Sequence, residues 1–151
     1  MALAALLLAP LGAAAASCTV SATAVAFGTY NPGSATPADA NGTVTLTCAP
    51  VLVPLSLPYS IAFSAGSQGA YLPRLMTAGA NTLQYQLYAN VLRTTPWGNG
   101  SVGTSVVAGN IGLMTVLPVS ASHTVYGRVP ALQSSVAVGS YSDVIMVTVT
   151  Y

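Results

Sequence analysis

From residue 17 onward the chain alternates apolar and polar positions with the two-residue period of a half-buried strand. The clearest case is the stretch DVIMVTVTY at 143–151, where Ile145, Val147, Val149 and Tyr151 fall on one face and Val144, Met146, Thr148 and Thr150 on the other. Similar runs predict strands at Thr19–Phe27, Thr43–Cys48, Tyr59–Ser64, Thr82–Tyr88, Gly103–Ala108 and His123–Pro130. Between them lie segments dense in turn formers: NPGSATPADANG at 31–42, TTPWGNGS at 94–101, and SVAVGSYS ahead of the last run. These read as loops. Pro50, Pro54 and Pro58 interrupt the region after residue 48, which therefore reads as an edge or an irregular connection. No heptad, internal repeat or amphipathic helical period is present beyond the leader. Short strands joined by frequent turns predict an all-β, immunoglobulin-like antiparallel β-sandwich.

The last strand raises a problem of its own. Both of its faces are apolar or hydroxylic, and no charge blunts it. A long apolar edge invites pairing with another chain unless something covers it. The pattern predicts a partner strand along Ile145, Val147, Val149 and Tyr151.

Composition narrows the class further. Of 151 residues, 53% are hydrophobic, while only three arginines and two aspartates carry formal charge. A net charge of +1 supplies no electrostatic footprint for nucleic acid. So sparse a charge gives weak protection against self-association, as suits a chain made to pack against others. Arg74 and Arg93 are expected to lay their stems on apolar surface with the guanidinium in water. Asp143 is expected to accept backbone N–H groups or to pair with Arg128.

The first residues differ from the rest. Positions 2–16 are uninterrupted Ala, Leu, Gly and Pro, too short a run for a membrane span of roughly 20 residues. They read as the apolar part of a secretory signal, with Ala14-Ala15-Ala16 as the cleavage site, although no Lys or Arg precedes them. The expected division is a signal peptide at 1–16 and one domain at 17–151. Export makes a disulfide between Cys18 and Cys48 the favoured use of the two cysteines. The alternatives are a lipid anchor on Cys18, which would want a leucine-like residue where Ala15 stands, and a reactive thiol, which would want a neighbouring base.

Catalytic chemistry is hard to assemble. General acid–base work commonly needs paired carboxylates or a partnered histidine, and the chain holds one histidine, His123, with Asp39 and Asp143. No nucleophile motif is present. The reading is no enzyme, no cofactor and no metal. Trp97, in a Gly-rich loop, could stack on a sugar or dip into an apolar surface, with Tyr71 and Leu72 as further candidate adhesive contacts, although a packing role near the sandwich edge is the favoured explanation of Trp97.

Four stretches, CTVSATAVAFGTYNP, GTVTLTC, YQLYANVLRTTPWGNG and YGRVPALQSSVAVGSYSDVIMVTVTY, together resemble the spore coat protein U domain family. That family includes pilin-like subunits of archaic chaperone–usher pili. The resemblance spans Cys18 to Tyr151 and implies a sandwich lacking its last strand. It implies a periplasmic chaperone that lends a strand, an outer-membrane usher, and other pilus subunits as partners. It also implies a paired Cys18 and Cys48 and a C-terminal strand lining the groove. The expected function is an exported structural subunit of a surface pilus, acting in attachment to abiotic or host surfaces and in biofilm formation. Polymerising members carry an alternating extension before the first cysteine. Cleavage after Ala16 would leave only Ser17, which favours a tip or adhesin-like position unless residues 2–16 are themselves retained as the extension. The alternatives are a non-pilus secreted coat or matrix protein and a self-sufficient carbohydrate-binding module.

Overall fold

The computed structural model describes residues 16–50, 55–101, 103–113 and 117–151. The expected signal segment therefore lies, except for Ala16, outside the described residues, as does Pro54. Eight strands are present: β1 (Cys18–Thr23), β2 (Ala38–Cys48), β3 (Leu55–Phe63), β4 (Arg74–Ala78), β5 (Asn81–Tyr88), β6 (Val107–Leu113), β7 (Val119–Val129) and β8 (Val147–Thr150). They form a five-stranded sheet in the order β1-β2-β7-β5-β4 and a three-stranded sheet in the order β6-β3-β8. All strand pairings between these elements are antiparallel. No helix occurs among the described residues. The chain is an all-β sandwich, as the alternation implies.

The pleat explains the core. On β2, Val44, Leu46 and Cys48 point inward and are buried, while Thr43, Thr45 and Thr47 point out. β7 adds Val125 and Val129, β5 adds Leu83, Tyr85 and Leu87, and the facing sheet supplies Tyr59, Ile61, Phe63 and Ile111. On the outer face the hydroxyls of Thr45 and Ser122 meet at 2.9 Å, and those of Thr47 and Ser120 at 2.8 Å. Cross-strand hydroxyl pairs of this kind satisfy each other without burial.

Several elements depart from the sequence pattern. β2 begins at Ala38, inside the segment expected as a loop, because Ala38–Gly42 finds a partner in β7. There Asp39 stands opposite Arg128 and pairs with it at 2.7 Å, so tertiary pairing overrides the turn propensity of DANG. β3 runs through Pro58 and is the middle strand of its sheet. β8, however, stops at Thr150 opposite Ser60, so at Pro58 β3 has a neighbour on one side only. β4 was not expected, and β6 lies several residues later than the predicted run at 103–108. At the ends, β1 stops at Thr23 rather than Phe27, and β8 covers only the last part of 143–151.

Two interior fixtures hold the sheets. Cys18 and Cys48 stand opposite each other on β1 and β2 and are disulfide-bonded (S–S 2.08 Å), 30 residues apart in sequence. Arg74 corrects an expectation: its guanidinium is not in water, because the residue is 0% exposed. It donates to Ser64 O (2.9 Å), Trp97 O (2.7 Å) and Gln86 Oε1 (2.5 Å), and lies 5.4 Å from the Tyr71 ring centroid. Burial pulls its pKa down, yet these acceptors satisfy the cation without an ion pair among the described residues. Arg93 is likewise not free in water. It pairs with Asp39 at 3.3 Å and donates to Gly127 O.

Replacing both cysteines by alanine is expected to lower unfolding stability by about 3–4 kcal/mol through the freed loop entropy, read from denaturant midpoints. Arg74→Ala should cost about 3–5 kcal/mol, because it leaves three acceptors bare and a void behind them. An Arg74→Ala midpoint equal to wild type would show that the guanidinium is not a structural link.

Candidate functional site

One side of the sandwich is open. After Thr23 the chain leaves the β1 ladder and runs as a wall that turns at Gly28 (φ 68°) before Tyr30, paired to no strand among the described residues. Facing it is the segment 136–147, which leads into β8. Between them lies a trough of about 1200 Å³, floored by Val44, Phe63, Met76, Leu83, Leu87, Val125 and Val129. These are residues of the hydrophobic core itself. The inward side of β1 tells the same story. Val20 stands opposite Leu46 on the same face, yet Leu46 is 0% exposed and Val20 is 42% exposed. An apolar residue on the core side of a strand is left bare where a covering element is missing.

The two walls are held from their outer sides. Ser142 exchanges both backbone bonds with Thr77 of β4, at 2.9 and 3.1 Å. Met146 O accepts from Ser64 N at 3.0 Å, and Met146 N donates to Ser64 Oγ at 2.9 Å. On the opposite wall, Tyr30 donates to Pro130 O (2.8 Å) and accepts from Gln133 N (3.1 Å). The trough thus has fixed rims and an apolar floor, the shape an added strand requires.

One polar point marks the lining. Tyr85 donates its hydroxyl to Asp143 Oδ2 at 2.5 Å, and Asp143 Oδ1 accepts from Ser67 N (2.7 Å) and Val144 N (2.8 Å). Burial alone would raise the Asp143 carboxyl, but the donors from Tyr85, Ser67 and Val144 outweigh it and hold the pKa below its ordinary value. Burial, followed by the Asp143 contact, pushes the Tyr85 phenol well up. Both carboxylate oxygens therefore have donors. Of the two roles expected for Asp143, it takes the backbone N–H groups, while Arg128 pairs with Asp39.

Of the residues expected along the partner edge, Ile145 and Val147 line the trough. Val149 is half-buried against the core, and Tyr151 places its hydroxyl 3.3 Å from Cys18 N, accepting from it. Trp97 requires a correction. It is 0% exposed, stacked on Phe63 at 4.3 Å between ring centroids, and its Nε1 donates to Ile61 O at 2.9 Å. A side chain so enclosed cannot touch a surface outside the protein. Tyr71 is half-buried beneath Arg74, and Leu72 is 46% exposed. The three are not gathered into one surface patch.

His123, the first residue of the strand expected at 123–130, does not stand at a strand start. It sits within β7, half-buried, with Nε2 2.8 Å from the Tyr59 hydroxyl, and burial lowers its pKa. No group of three or more His, Cys, Asp and Glu side chains among the described residues is placed to hold a metal ion. Sequence reasoning missed the wall at 24–30, whose alternation looked like an ordinary continuation of the first strand. It also missed the exposed pair Val91 and Leu92 at a loop tip.

The fold and the trough define a class: an antiparallel β-sandwich open on one side among the described residues. The chain belongs to the spore coat protein U domain family, whose model matches residues 3–148. It is 37% identical over 133 residues to Protein U of Myxococcus xanthus, spanning 83% of this chain and 70% of that protein. Its fold is similar to one in the crystal structure of the CsuC–CsuE chaperone–tip adhesion subunit pre-assembly complex, from the archaic chaperone–usher Csu pili of Acinetobacter baumannii. There the TM-score is 0.57 at 18% identity, over 90% of this chain and 40% of the matched one. The chain thus spans less than half of that solved relative.

The Asp143 site has a pH signature. Its folded carboxyl titrates below the ordinary value of 3.8, so its stabilisation is whole above that pH and fades as pH falls through the lowered value. Asp143→Asn is expected to melt below wild type at pH 7, with the difference narrowing as pH falls through the lowered value. A difference independent of acid would contradict this assignment.

Proposed function

We propose that this protein is an exported structural subunit of a surface pilus or related fibre that is completed by a strand from a partner chain. The observation that carries this is the trough: its floor is the hydrophobic core, and its wall at 24–30 pairs with no strand among the described residues. An incoming strand would bond to the free main chain of the walls and set alternate apolar side chains onto the floor. Because such a partner completes a core, affinity would come from buried apolar area as well as from the ladder.

Family membership and the fold shared with a chaperone–subunit complex support a periplasmic chaperone as the first donor, with an outer-membrane usher and neighbouring subunits following. Residues 1–16 would act as the export signal, and the finished subunit would reside at the cell surface. Attachment to abiotic or host surfaces and biofilm formation are the roles this assembly would serve. Leu72, with the half-buried Tyr71 beside it, remains the proposed contact, and Trp97 is withdrawn from it. The buried Trp97 also removes the aromatic platform that favoured a free-standing carbohydrate-binding module.

Expression in a periplasm with and without the cognate chaperone tests the proposal. The expected result is a soluble one-to-one complex only when the chaperone is present, with an intact mass lacking residues 1–16 and two hydrogens lost to the disulfide. A stable, soluble monomer in the absence of any chaperone would overturn strand completion.

A further inference from the structure

The wall at 24–27 is held in an unusual way. Its upstream neighbour ends the β1 ladder, where Thr23 Oγ1 accepts from Thr43 N at 2.9 Å. Its downstream end is tied by Tyr30. Between those points the wall joins no ladder among the described residues and rests on the inner face of the five-stranded sheet through Val25 and Phe27. The sheet makes room for them with two glycines on adjacent strands, Gly42 on β2 and Gly127 on β7, in a register that sets Gly42 opposite Val125 and Ala40 opposite Gly127.

The space there is closed to any β-carbon. One added at Gly127 would lie 2.5 Å from Val25 Cγ1 and 2.8 Å from Phe27 Cζ. At Gly42 it would lie 2.7 Å from Thr23 O and 2.9 Å from Val25 Cγ2. Neither glycine adopts a left-handed φ, so alanine's backbone is allowed at both positions. The requirement for glycine is therefore steric. Glycine inside a strand is unfavourable unless something must approach closely, and here the approaching group is the wall of the trough. Phe27 then meets Tyr85 edge-on, with ring centroids 6.1 Å apart, which ties the wall to the floor.

We propose that Gly42 and Gly127 are positioning residues for strand uptake: together they form the notch that seats Val25 and Phe27 and so sets the width of the trough. This rests on the strand-accepting function proposed above. A wall lifted off the notch would stand too far from the opposite rim for one strand to bond to both.

The test uses the full disulfide-bonded chain and a fluorescent synthetic peptide of alternating valine and serine as the strand probe. Gly127→Ala is expected to weaken probe uptake by about tenfold, whereas Gly112→Ala, where a β-carbon meets nothing within 4 Å, should leave it unchanged. Adding Val25→Ala and Phe27→Leu to Gly127→Ala removes the crowding and should restore uptake to within about threefold of wild type. If Gly127→Ala does not accumulate as folded protein, Val25→Ala with Phe27→Ala in the wild-type background withdraws the plugs without crowding the floor, and the same loss is expected. Uptake by Gly127→Ala equal to wild type would overturn the positioning role, as would failure of the rescue. A wild-type chain that takes up no probe would overturn the strand-accepting function and the positioning role together.

Discussion

Two facing sheets bury a shared core only where each covers the other, and here five strands face three. The inner face of the larger sheet extends past the smaller one on the side where β1 and β8 diverge. Val20 on β1, 42% exposed, belongs to that overhang, whereas the floor residues Val44 and Val125 are themselves buried. At one end the gap is spanned by a side chain, with the Tyr151 hydroxyl reaching Cys18 N. A hydrophobic floor bounded by unpaired main chain is unfavourable in water and favourable against a strand. The functional reading follows from this one inequality in sheet width.

The parts beside the opening are rigid because their polar groups are anchored inside the protein. Arg74 links the end of β3 through Ser64, the loop at Trp97 and β5 through Gln86. Trp97 in turn stacks on Phe63, whose side chain forms part of the trough floor. Asp143 gathers Tyr85, Ser67 and Val144 at the opposite wall. The disulfide closes the foot of β1 against β2. Each link connects segments distant in sequence, so the trough keeps its shape without depending on the ladder that its walls lack. Pre-formed rims reduce the ordering cost an incoming strand must meet.

The sequence made the sandwich legible through alternation: TVTLTC, TLQYQLY and HTVYGRV show the pleat directly, and they became parts of β2, β5 and β7. Ile145 and Val147 were also legible as one face of the last run, and they line the trough. What could not be read depends on contacts far along the chain. Phe27 looks like the end of a plain strand, and only Gly127, one hundred residues later, shows why the wall leaves the ladder. Arg74 in RLMTA resembles a surface cation, because two of its acceptors, Ser64 O and Trp97 O, are backbone carbonyls that no residue type announces. Trp97 in a Gly-rich loop resembles an exposed platform, because the partner that buries it, Phe63, lies on another strand. Position-by-position polarity encodes faces, whereas burial of a polar or aromatic side chain is decided by neighbours.

The most direct measurement is backbone amide exchange on the full chain, free and with a strand-donating partner bound. In the free chain, amides of β2 and β7 should exchange slowly and those of 24–27 rapidly, since the former are laddered and the latter are not. On binding, new protection should concentrate at 24–30 and along 143–147, the two rims of the trough. Slow exchange at 24–27 in the free chain, or new protection confined to the outer face of β2 and β7, would contradict a missing strand at this position.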